Sequence, residues 1–286
     1  MKRRGSVRDI RPAKLIRTVL LWIAVAALLP GLSSQGTLII TIPTEDGMLV
    51  ASDKLLTIRH SGQADGHVDG TEKVRLLSPT AAVGFAGLIG MAGNPAEADN
   101  PGEHLFAVDF AKYYFITNRV DDFDPQKFAD SMSEQVSNYF AHLSWKYDVS
   151  KDPGCVFLVF RATPARERRT FMAYLAFGQS ETNLTVTSTH FAEAVQRDRD
   201  PARVMAFGQP DVPLELEHGT DPRFDDLRNN WMIAKFLPKP PLAKDVGLAD
   251  AELFAQSLMA AASERTILLN TNAGIGSNID ETVLSF

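Results

Sequence analysis

Gly36-Thr37-Leu38-Ile39-Ile40-Thr41-Ile42-Pro43-Thr44-Glu45-Asp46-Gly47-Met48-Leu49-Val50-Ala51-Ser52-Asp53-Lys54 is the stretch from which the rest of the chain can be read. Leu38 to Ile42 is rich in β-branched residues, which suit a pleated, buried strand. Glu45-Asp46-Gly47 is a hairpin turn signal, and Met48 to Ala51 is the returning apolar strand. Pairing these two strands carries Asp53, at the end of the second, back beside Thr37, at the start of the first. Lys73 then opens a further apolar run, Val74 to Gly87, which Ser78-Pro79-Thr80 splits into two strands. Gly84-Phe85-Ala86-Gly87 closes the second of them.

A threonine that could become an N-terminus, an aspartate beside it and a lysine on a neighbouring strand make a candidate nucleophile site. Singly, each has a plain structural reading: Asp53 can end a strand, and Lys73 can lie on a solvated face. The residues around Gly87 admit two readings, a simple strand-to-helix turn or a backbone N–H aimed at an oxyanion.

Gly-Thr before a strand, Asp-Gly, a strand ending Ala-Ser-Asp-Lys, and Lys-Val leading to Gly-Phe-Ala-Gly together resemble the N-terminal third of a proteasome β-subunit. That family belongs to the N-terminal-nucleophile hydrolases. The resemblance covers residues 36 to 90 and is loose beyond them. It implies a four-layer αββα sandwich and a catalytic set of Thr37, Asp53, Lys73 and Gly87, with the Gly87 N–H in the oxyanion role. It also implies peptide or amide bond hydrolysis through an acyl-enzyme on Thr37, no cofactor or metal, and assembly into a homo-oligomeric ring. The chain departs from the family pattern in three places. Leu55 stands where an arginine is usual, Gly208-Gln209-Pro210 lacks an auxiliary serine, and Ile275 occupies another serine position. Asn272 is the best match to an active-site aspartate. Two other functions fit the same residues: a small-amide acylase of the superfamily, and a catalytically silent scaffold or binding protein.

The first 36 residues read as a targeting segment ahead of a single domain at 37–286. Lys2, Arg3, Arg4, Arg8, Arg11, Lys14 and Arg17 form a basic region, Thr18 to Leu29 is apolar, and Pro30-Gly31 breaks it. That is the layout of a secretory signal peptide, with an apolar core short for a membrane span. The expectation is an exported protein; an uncleaved, membrane-anchoring segment is the competing reading.

At 286 residues and 45% hydrophobic the chain is long and apolar enough for one full core. A formal charge of −6 without a basic stripe in the body of the chain argues against nucleic-acid binding. The single cysteine, Cys155, rules out an intramolecular disulfide and reads as a buried hydrophobe. Arg59 to Gly70 holds two histidines and two aspartates at no metal-binding spacing, and reads as a solvated glycine-rich loop.

Further along, helices are expected over Glu103 to Thr117, from Asp124 through Tyr147, and over Ala249 to Ser263, each from apolar residues at three- and four-residue spacing. Asp124-Pro125 supplies the second with a cap and a first-turn proline. Strands are expected over Cys155 to Ala162, Thr170 to Phe177, Asn183 to Thr187 and Arg203 to Gly208, with Arg166 to Arg169 as a charged turn. Phe191 to Arg197 reads as a short helix, and Pro210 to Pro241 as an irregular segment around a helix near Asp225 to Phe236. A glycine-containing turn after Asn272 leads to a last strand.

Overall fold

The computed structural model describes residues 37–60, 63–68, 70–87, 106–141, 154–179, 184–269 and 275–286. The expected targeting segment, Asn272, and the parts of the expected helices at 103–105 and 142–147 lie outside these residues. The described chain is a mixed α/β protein with antiparallel sheets.

β1 (Leu38–Thr44) and β2 (Gly47–Asp53) form the expected hairpin, and every residue of both strands is buried. β10 (Met205–Gly208) pairs with the free edge of β1, and β11 (Ile279–Ser285) with that of β2, giving the order β10-β1-β2-β11. Gly47 is obligatory in this hairpin, because a Cβ there would stand 1.8 Å from the Leu284 carbonyl oxygen on β11.

The second sheet runs β5-β6-β7-β8-β9, from β5 (Val74–Ser78) and β6 (Ala81–Gly87) to β7 (Gly154–Ala162), β8 (Glu167–Gln179) and β9 (Leu184–Arg197). β5 and β6 divide at Pro79 as the sequence suggests. Among the described residues the remaining two strands, β3 (Leu56–His60) and β4 (Gln63–Val68), pair with each other. They correct the reading of Arg59 to Gly70 as a loop. A second correction concerns Phe191 to Arg197, which is not helical. Its residues pair with Glu167 to Ala173 of β8, and this long ladder overrides the helix-favouring Ala-Glu-Ala composition.

Alternate residues of the strands face helices. α1 (Phe106–Thr117) and α2 (Pro125–Ala141) place Val108, Ala111, Tyr114, Phe128, Met132 and Val136 against Val83, Phe85, Phe157, Val159 and Phe171 of the second sheet. Asp124 caps α2 by accepting from the Gln126 and Lys127 N–H groups. On the first sheet, Leu38, Ile40, Ile42, Leu49 and Ala51 meet three of the remaining helices. These are α3 (Asp211–His218), α5 (Trp231–Phe236) and α6 (Leu248–Leu269), with the short α4 (Asp225–Arg228) between the first two. The 210–241 segment is thus largely helical, and α6 extends past both ends of the expected Ala249 to Ser263.

Individual side chains of the two sheets also touch. Phe160 of β7 and Phe207 of β10 lie edge to face with ring centroids 6.4 Å apart. Arg168, expected in a charged turn, lies in β8 and is 1% exposed. Its Nε donates to the Thr44 and Gly47 carbonyls at 3.1 and 2.8 Å, and its guanidinium reaches Asp198 Oδ1 at 3.0 Å. It ties the turn of the β1–β2 hairpin to the opposite sheet. Cys155 is a free, fully buried thiol, and burial pushes its pKa far up, which leaves it inert. No described helix is long and apolar enough to cross a membrane.

Candidate active site

Asp53 ends β2, and the β1–β2 register brings its side chain to the first amide of β1. The N–H joining Thr37 to Leu38 donates to Asp53 Oδ1 at 2.7 Å. Lys73, immediately before β5, donates to Oδ1 and Oδ2 at 2.9 Å each, and to the Leu55 carbonyl at 2.6 Å. The Leu55 and Gly276 N–H groups complete the carboxylate's surroundings on Oδ2, at 3.2 and 3.4 Å. Asp53 and Lys73 are both 0% exposed, and Thr37 is 2% exposed.

Burial dominates the electrostatics of this pair. It pushes the Lys73 ammonium below its ordinary range, against the pull of Asp53. It also pushes the Asp53 carboxyl up, against Lys73 and the Leu38 and Gly276 N–H groups. Each charge is therefore tolerated only because the other compensates it.

Thr37 is fixed from its other side by β10. Gln209 N–H donates to the Thr37 carbonyl at 2.8 Å, extending the ladder in which Leu38 faces Gly208. Gly208 has φ +88°, and a Cβ there would stand 2.2 Å from the Thr37 oxygen and 3.2 Å from the Ala86 Cβ. Only glycine permits this approach. The same contact places the end of β6 next to the Thr37 segment, because Gly87 follows Ala86. Gly87 itself has φ +110°, and a Cβ on it would lie 3.0 Å from the Cys155 Cα.

The structure therefore brings Asp53 and Lys73 into direct contact, links Thr37 to them through its own peptide, and sets Gly87 at the end of the adjoining strand. The backbone contributions were not visible beforehand. Leu55 stands out in the sequence only as a departure from a family pattern, yet both its N–H and its carbonyl serve the site. Ile275 is buried, and the next residue, Gly276, supplies the N–H. Among the described residues no cluster of His, Cys, Asp and Glu side chains could hold a metal ion.

No family model matches the chain, and no curated protein matches it. Among solved structures it is similar to Anbu proteins. Anbu (ancestral beta-subunit) from Yersinia bercovieri is 15% identical with a TM-score of 0.45, over 87% of this chain and 81% of that one. The Anbu complex from Pseudomonas aeruginosa, solved as a helical assembly, is 13% identical with a TM-score of 0.44, over 87% and 81%. An Anbu (Gly-1) mutant from Hyphomicrobium sp. strain MC1 is 14% identical with a TM-score of 0.44, over 87% and 82%. These results correct the expectation drawn from residues 36 to 90. The chain is not placed in the proteasome β-subunit-like N-terminal-nucleophile hydrolase family; the solved structures it resembles are Anbu proteins.

Proposed function

We propose that the protein is a threonine hydrolase that cleaves peptide or amide bonds through an acyl-enzyme on Thr37. The observation that carries this reading is the buried Lys73–Asp53 pair, joined by a hydrogen bond to the amide between Thr37 and Leu38. A buried ammonium joined through one carboxylate to the peptide that follows Thr37 has a chemical use and no need of a folding one, since well-packed apolar groups serve a core at least as well.

The reaction starts once the bond between Gly36 and Thr37 is cut. The α-amine, with an ordinary pKa of roughly 8, then takes the proton from Thr37 Oγ. Oγ attacks the substrate carbonyl carbon, and the carbonyl oxygen becomes an oxyanion that the Gly87 N–H stabilises. Such a donor contributes about 3 kcal/mol. The tetrahedral intermediate collapses with loss of the C–N bond, and the leaving amine takes the proton from the α-ammonium. Water then attacks the ester and gives its proton to the α-amine. The ester C–O bond breaks, Oγ recovers a proton, and the carboxylic acid leaves. Lys73 favours the deprotonated forms of Oγ and the amine through its charge, and Asp53 holds it in place.

This reading includes an αββα layering of the two sheets and their helices. It is supported by the two separate helix–sheet cores and by the Phe160–Phe207 contact between the sheets. It also includes export through residues 1–36, on the strength of their basic and apolar regions, and self-association. Tyr113 and Ile116 of α1 and Trp231 of α5 are all more than half exposed and offer apolar surface for a second copy. Sedimentation of the purified protein tests the last point.

The deciding experiment is labelling with a threonine-directed electrophile, followed by N-terminal sequencing. A hydrolase of this kind begins at Thr37 and carries one label there. An active protein whose N-terminus is intact upstream of Thr37 overturns the reading, because an amide nitrogen has no useful basicity. An unlabelled, inactive protein indicates a silent scaffold.

A further inference from the structure

Gln209 is 2% exposed, and both polar atoms of its carboxamide, Oε1 and Nε2, are buried without a hydrogen-bond partner. A buried amide left unpaired destabilises a fold, so one retained beside a candidate site calls for a partner that appears later. The backbone of Gln209 locates that partner. Its N–H bonds the Thr37 carbonyl at 2.8 Å, one residue beyond the paired Leu38 and Gly208.

Cutting the bond before Thr37 creates a group that the uncleaved chain lacks. An amide N–H becomes an α-amine, or an ammonium with three N–H donors. Among the described residues, two acceptors beside the Thr37 peptide are already engaged. Asp53 receives Leu38 N, Leu55 N, Gly276 N and both contacts from Lys73, which fills the lone-pair sites of a carboxylate. The Leu55 carbonyl receives Lys73. Gln209 Oε1, on the residue whose N–H bonds the Thr37 carbonyl, is a buried acceptor with nothing to accept.

We infer that Gln209 is a positioning residue: its Oε1 accepts a hydrogen bond from the newly formed α-amine of Thr37 and turns the amine lone pair toward Oγ. The inference rests on the reading of Thr37 as an N-terminal nucleophile. It assigns the side chain two opposite roles. In the uncleaved chain the carboxamide is a liability, and in the mature protein it is the amine's partner.

The test compares Gln209→Met and Gln209→Glu with the wild type and with Thr37→Ala, in uncleaved and mature protein. Methionine keeps the shape and removes the unpaired polar atoms. It should leave the melting temperature of a chain that retains Gly36 equal or higher, while lowering kcat of the mature enzyme by roughly tenfold or more with little change in KM. An acceptor stabilises the ammonium, so its loss should move the acid limb of the kcat profile to lower pH by roughly one unit. Glutamate keeps an acceptor and adds negative charge, so it should move that limb the other way. Gln209→Met and Gln209→Glu profiles that both coincide with wild type overturn the inference while leaving Thr37 as nucleophile. So does a fall in stability of the uncleaved and mature forms alike without any shift of the limb. Full activity in Thr37→Ala overturns the hydrolase reading itself.

Discussion

Lys73 Nζ lies 2.9 Å from each carboxylate oxygen of Asp53, and neither side chain reaches solvent. Removing one member strands the other as a buried charge. Lys73→Met or Asp53→Leu alone should therefore cost about 3–5 kcal/mol in urea denaturation, and the double variant less than the sum of the two. Fully additive losses would show that the pair is not coupled. Lys73→Ala should abolish activity in a protein that still folds, whereas Lys54→Ala, at a partly exposed position, should leave it near wild type. Equal losses from the two would remove Lys73 from the chemistry.

Gly276 sits against Leu55 so closely that a Cβ would meet the Leu55 Cβ at 2.8 Å. Gly276→Ala should therefore push Leu55, and with it the carbonyl that holds Lys73. A drop in kcat and a lower melting temperature are expected. Gly247→Ala is the control, because nothing lies within 4 Å of a Cβ there. Matching behaviour of the two variants would show that the close contact is unimportant.

Arg168 bonds the Thr44 and Gly47 carbonyls and Asp198 from a fully buried position. Arg168→Met removes these hydrogen bonds, and a loss of roughly 3 kcal/mol or more is expected in chemical denaturation. Arg168→Lys should rescue little, since an ammonium lacks the planar fork that spans both carbonyls. Complete rescue by lysine would mean that charge alone matters.

Asp198 is held below its usual pKa first by its hydrogen bond from Arg166, and then by Arg168. Its folded pKa is depressed, so its contribution is present above the unfolded value near 4 and is lost as pH falls through the folded pKa. Stability measured from about pH 6 down to about 2 should fall more steeply in wild type than in Asp198→Asn, and the gap between the two should close at the acid end. A constant gap throughout would show that the asparagine variant loses something other than this linkage.

The β1–β2 hairpin was legible because its signals agree: β-branched runs, Asp-Gly between them, and a returning apolar strand. Phe191 to Arg197 was not, because its local composition favours a helix and only the distant β8 makes it a strand. Arg59 to Gly70 was misread in the same way, since polar, glycine-containing residues disguise the β3–β4 pair. At the site, Asp53 and Lys73 stood out as charges at the ends of apolar runs. The parts played by Leu55 and Gly276 belong to the peptide backbone, which every residue possesses, so no side-chain pattern announces them. Gln209 gave no signal beyond the absence of a serine; its distinction is that its amide is buried and unmatched.

The bond from Gly276 N–H to Asp53 joins residues 223 positions apart. A ribosome-bound chain that has exposed Thr37, Asp53 and Lys73 still lacks the donor that precedes β11, and β2 still has a bare edge. The carboxylate shell closes only when β11 docks on β2. On the proposed reading, a half-made polypeptide is therefore harmless to itself and to its surroundings, and the hydrolase becomes competent only after β11 has been made and has paired with β2.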